Sequence, residues 1–174
     1  MAVQNRNAKV KRLALMGLLF ALAMALSFLE SLLPALPMLP PGIRLGLSNI
    51  ITMYALFLLG APSGYTIAVL KSIFVLVTRG AVAAAMSVAG GLLSVTIMLV
   101  ISLLPNMKKQ YLLLSIFGGA CHNVGQLVMA RFIIGNQYVW YYLPVLLVAG
   151  IVMGVITGLA LKVILPHINR LNLN

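Results

Sequence analysis

Apolar positions run through this chain in stretches of fifteen or more, and the polar positions gather in short clusters between them. Neither the 3.6-residue period of a half-buried helix nor the alternation of a strand is present, so the stretches read as helices apolar on all sides and the clusters as turns. A first helix is predicted over 13–33, ended by the proline-rich run LPALPMLPPG at 33–42, because proline lacks the donor that a continuing helix needs. A second is predicted over 44–60, and GAPSG turns the chain into a third over 64–79. A fourth follows over 82–104, PNMKKQ breaks the pattern, a fifth covers 111–134, and IGNQ leads into a sixth over 139–165.

Composition turns these helices into membrane spans. The chain is 63% hydrophobic and only 7% charged, far from the balance of soluble domains. A bilayer core of about 30 Å takes roughly 20 apolar residues per helix, which gives a chain of this length about six or seven spans. The fold expected is therefore an all-α integral membrane protein, six transmembrane helices in one bundle. A basic segment at 1–12 precedes the six-helix domain at 13–165, and a tail follows at 166–174. The apolar run after the basic residues is too long for a cleaved signal peptide and has no polar region before a cleavage site, so none is expected.

The charge is uneven, and that sets an orientation. Arg6, Lys9, Lys11, Arg12, Lys108, Lys109, Lys162 and Arg170 fall on the side of the termini, against Arg44, Arg79 and Arg131 on the other. Basic residues concentrate in cytoplasmic segments, which places both termini in the cytoplasm. In a soluble chain a formal charge of +11 would point to nucleic acid. Here topology and anionic lipid account for it, and no nucleic-acid partner is expected.

Several chemistries are excluded by what is missing. Glu30 is the sole acidic residue, so the carboxylate cluster that holds magnesium on a diphosphate cannot be assembled. No phosphate-binding loop ends in Lys-Ser or Lys-Thr, so the chain does not itself hydrolyse ATP. Cys121 is the single cysteine, which excludes an internal disulfide and a multi-cysteine metal site and reads as a packing residue. His122 and His167 have no serine, cysteine or acid partner at a catalytic spacing. The chain reads as a non-enzyme with no catalytic residues, metal or cofactor.

The remaining polar side chains can be placed by depth at 1.5 Å per helical residue. Arg44 starts the second helix on the outer side, with Asn49 about 8 Å further in. His122 and Asn123 lie near the midplane of the fifth helix, Gln126 shares a face with His122 four residues on, and Arg131 nears the outer surface on a different face. Lys71 is mid-way along the third helix and Arg79 ends it outside. Snorkelling to lipid headgroups accounts for cations at helix ends. A charge at mid-bilayer costs roughly 2.5 to 3.5 kcal/mol, so Lys71 needs a partner or a wet cavity. Several cations with one acid, alongside Asn49, Asn123 and Gln126, describe an outward-opening pocket for an anionic group, with Pro34 to Pro41 as a loop over it. Small residues recur at every fourth position as Gly17, Ala21, Ala25 and as Gly150, Gly154, Gly158, a spacing that lets helices approach closely. The second ladder reads as internal packing.

Three stretches, RLGLSNIITMYALFLLG (44–60), SVAGGLLSVTIMLVI (87–101) and GGACHNVGQL (118–127), resemble the bacterial family called Gx transporters, also labelled heptaprenyl diphosphate synthase component I, which is similar to the S components of energy-coupling factor (ECF) transporters. The resemblance implies an S-component fold in the bacterial cytoplasmic membrane, with a ligand site opening outward under the first loop. It implies partners on other chains: a transmembrane T component and two ATPase subunits, which bind the ATP. In S components an AxxxA pattern on the first helix contacts the T component, and Ala21-Leu22-Ala23-Met24-Ala25 matches it. Vitamins and their precursors are the usual ligands, and isoprenoid or quinone precursors fit the label. The other class of reading is a non-catalytic accessory subunit of polyprenyl diphosphate synthesis or quinone-linked electron transfer.

Overall fold

The computed structural model describes residues 2–32, 44, 46–107 and 110–169, with side chains described from Lys9 to Val163. The expected proline-rich loop from Pro34 to Pro41, with Lys108, Lys109 and Arg170, lies outside the described residues. Six α-helices and one 3₁₀ segment form the chain: α1 (Ala2–Leu32), α2 (Asn49–Leu59), α3 (Ala61–Arg79), α4 (Ala81–Ser102), α5 (Tyr111–Ile134), the 3₁₀ turn Gln137–Tyr142 and α6 (Leu143–Asn169). The fold is all-α, as the apolar runs predict.

Five of the helices are long and apolar enough to cross a bilayer. Their outward faces carry large apolar side chains: Val77 is 81% exposed, Phe132 79% and Leu13 74%. A soluble monomer does not present such a continuous apolar surface. The chain is a multi-pass membrane protein.

Among the boundaries that differ from the sequence expectation, three have a clear local reason. α1 begins at Ala2 because the polar residues before Leu13 include no helix breaker. The sixth helix starts at Leu143, since Pro144 has the fixed φ and missing donor that suit a first turn, and the residues before it wind as 3₁₀. The third difference bears on function. α2 starts at Asn49 and has 11 residues, a rise of only about 16 Å. Arg44 therefore precedes the helix instead of opening it, and neither Arg44 nor the turn from Gly46 to Ser48 is part of the helix. Gly46 carries a φ of 87°, a left-handed conformation that a side chain disfavours.

α2 sits inside the bundle, touching α1, α3, α4 and α6, while α5 packs along α4 on one side and α6 on the other. The larger core cluster joins Leu19 and Ala23 of α1, Met53 to Leu56 of α2, Ile67 and Ala68 of α3, Val95 and Met98 of α4 and Leu161 of α6. The α5 contacts rest on glycine. A Cβ at Gly125 would stand 2.8 Å from the Gly90 Cα of α4, and one at Gly154 would stand 2.5 Å from the Ile116 Cα. Backbone meets backbone there, as small residues permit in membranes where no hydrophobic force drives helices together. The Gly150, Gly154, Gly158 ladder is thus internal packing against α5, as expected. Gly17 has nothing within 4 Å of an added Cβ.

The two ladders separate in a stability measurement. Gly154→Ala forces two backbones apart and lowers stability by about 1–3 kcal/mol, whereas Gly17→Ala leaves it unchanged or raises it by up to about 1 kcal/mol. Thermal unfolding of the purified variants in one detergent checks the contrast.

Candidate functional site

Ahead of α2, three backbone polar groups of Arg44 and Gly46 have side-chain partners from other helices. The Glu30 carboxylate, near the end of α1, accepts from the Gly46 amide at 2.5 Å. The Gln126 side chain of α5 serves Arg44 twice: Oε1 accepts from its backbone N–H and Nε2 donates to its carbonyl, each at 3.2 Å. Arg44 Nη1 in turn donates to the Glu30 carbonyl at 3.1 Å. An irregular backbone at membrane depth is tolerated where protein buries it and satisfies it.

Around these residues lies a small cavity, lined by Ser27 and Glu30 of α1, Arg44, Gly46 and Ser48, Lys71, Val75 and Arg79 of α3, Ala83 and Ser87 of α4, and His122 and Gln126 of α5. It is narrow, with room for about one water. Three cations and one carboxylate share its wall. Lys71 is only 3% exposed, and its Nζ donates to Asn49 Oδ1 at 2.7 Å. It points into the bundle, so the snorkelling alternative does not hold, and the partner that its burial demands is an amide from α2. Behind it Ser72 and Ser87 bond hydroxyl to hydroxyl at 2.9 Å, joining α3 to α4. The His122 ring is held between two glycines: a Cβ at Gly46 would come 3.2 Å from its Cδ2, and one at Gly90 2.9 Å from its Nδ1.

The structure brings five of the sequence candidates to one cavity: Arg44, Lys71, Arg79, His122 and Gln126. Asn49 stands just beyond, bonded to Lys71. Asn123 is buried and turns the other way, with Nδ2 donating to the Leu146 carbonyl of α6 at 2.8 Å. Arg131 is not among the residues lining the cavity, in keeping with its different helix face. Sequence reasoning treated Glu30 as a neutralising charge and missed its bond to a backbone amide. It also missed Ser27, Ser48 and Ser87. Ser27 and Glu30 are three apart and so share a face of α1, a pattern visible in the sequence. Of the expected partner-binding residues, Gly17, Ala21 and Ala25 are all exposed, while Ala23 between them is buried.

Residues 19–164 match the heptaprenyl diphosphate synthase component I family. Among solved structures, the S component of a bacterial ECF transporter superposes with a TM-score of 0.64 at 20% sequence identity, covering 93% of this chain and 95% of that one. At that identity the likeness is one of fold. No curated protein sequence matches the chain.

Removing the Gln126 amide tests the role given to it. Gln126→Leu strands the Arg44 N–H and C=O together and lowers stability by about 2–4 kcal/mol, while Arg131→Gln changes it by less than about 0.5 kcal/mol. The readout is thermal unfolding of the variants in detergent.

Proposed function

The chain belongs to the heptaprenyl diphosphate synthase component I family, and from that premise we propose that it is the substrate-binding membrane subunit of an ECF-type importer, taking up a small anionic molecule. The observation that carries this is the charged cavity. Arg44, Lys71 and Arg79 line it with Glu30 as the only carboxylate, and Glu30 already accepts a backbone hydrogen bond. A wall with this charge excess favours a carboxylate or phosphate, and charge-assisted hydrogen bonds from Lys and Arg are among the strongest available. Gln126 and His122 in the wall, with Asn49 behind Lys71, orient the rest of the ligand. The ligand class is a vitamin-like, isoprenoid or quinone precursor.

The solved S component of like fold supports the transport reading over an enzymatic one, and a chain with one acidic residue cannot build a magnesium–diphosphate centre of its own. On this reading the chain sits in the bacterial cell membrane with both termini in the cytoplasm, and works with a T component and two ATPase subunits that supply the energy of ATP. Gly17, Ala21 and Ala25 form a small-residue face on α1, exposed in the isolated subunit, which suits a close helix contact with the T component.

Two experiments test the proposal. Calorimetric titration of the purified protein with the ligand that co-purifies with it, identified by mass spectrometry, is expected to give at least tenfold weaker binding for Lys71→Met or Arg79→Gln, the loss of one charge-assisted bond. Parent-like affinity in both variants and in Arg44→Gln sinks the anion site. For the partner face, Ala21→Phe or Ala25→Phe is expected to abolish co-purification with the T component while the variant alone unfolds at the parent's temperature. Retained co-purification rejects that interface, and association with a prenyl synthase in place of the transport subunits supports the accessory reading of the family's name.

A further inference from the structure

One turn along α2 from Asn49 lies a second, small cavity, with barely room for one water. Met53 of α2, Met98 of α4 and Met153 of α6 line it, with Ser94, Gly118 and Gly154 among the remaining wall. Gly46 belongs to the walls of both cavities. Asn49 lines the inner one and bonds to Lys71, which lines the outer one. Between them stand Gly46, which has no side chain, and the 2.7 Å hydrogen bond from Lys71 to Asn49.

The inner chamber is apolar and can change shape. Methionine has three rotatable bonds and a polarisable thioether, which lets it refill irregular space. Met98 leans into the room that glycine leaves, since a Cβ at Gly118 would stand 2.7 Å from its sulfur. When Met98 swings away, that room becomes part of the chamber. Two of the three hydroxyls in the wall are already engaged: Ser115 and Thr157 bond to each other, and Thr157 donates to the Gly154 carbonyl at 3.0 Å.

We propose that the chamber is a second subsite, which takes a short, slender apolar tail of a ligand whose anionic head lies in the outer cavity. As Lys71 turns from Asn49 to the anion, that bond breaks and the tail passes Gly46 into the space between the three methionines. The ligand is then an amphipathic anion, a carboxylate or phosphate on an unbranched or lightly branched chain. This rests on the anion reading of the outer cavity and extends it.

The test uses n-alkyl phosphates from methyl to hexyl, titrated calorimetrically into the full chain in lipid nanodiscs. Affinity is expected to rise about fourfold per methylene, the worth of burying one CH₂, and to level off once the chamber is full. Ser94→Leu, which fills the chamber, removes the dependence on length, and Met98→Ala moves the plateau to a longer chain. Equal affinity for all lengths in the parent, or a length dependence untouched by both variants, overturns the second subsite. If no alkyl phosphate binds, the anion reading fails by itself and n-alkanols of the same lengths judge the chamber. A length dependence lost in Ser94→Leu then upholds it, and a flat series rejects it.

Discussion

A peptide group inside a bilayer must find its hydrogen-bond partner within the protein, and Arg44 and the turn from Gly46 to Ser48 are where this chain meets that demand without a helix. The two side chains that meet it come from far apart in sequence: Glu30 from α1 and Gln126 from α5. Their oxygens and amide hold the segment open, and the opening is the polar cavity. A continuous helix over the same residues would satisfy its own backbone and leave no cavity at all. Polar residues inside a membrane are costly; here they stabilise an irregular backbone and define a recess together.

The bundle divides its work around that recess. α4, α5 and α6 are drawn together backbone to backbone at their glycines, which leaves little freedom for one helix to slide on another. They form a stiff wall that carries His122 and Gln126. α1, α3 and Arg44 ahead of α2 bring the charges, and the bond from Lys71 to Asn49 ties α3 to the short α2.

Much of this was legible in the residues. The helix over 111–134 is reproduced to the residue, because tyrosine after a polar cluster and a glycine after Ile134 mark both ends plainly. The burial of Lys71 in company also follows from its place in an apolar run. What the sequence could not tell was the start of α2. Arg-Leu-Gly-Leu-Ser is apolar enough to continue a helix, and the non-helical form rests on bonds from Gly46 to a residue 16 positions earlier and from Arg44 to one 82 positions later. Non-local partners of this kind leave no periodic trace. Asn123 shows the same limit at finer scale: its depth is readable, but whether it turns toward Lys71 or toward the Leu146 carbonyl is set by α6, which lies more than 20 residues away.

The tie between α1 and α2 has two ends. Near the start of α2, Glu30 holds the Gly46 amide; at its far end, Arg12 Nη2 donates to the Leu59 carbonyl at 2.9 Å and to Ser63 Oγ at 3.3 Å. Fastened at both points, α2 rides on α1 as a rung rides on its rail. A change in the tilt of α1 in the bilayer would pull on both ends of α2 at once, so the lipid-facing helix and the short inner helix are joined as one lever.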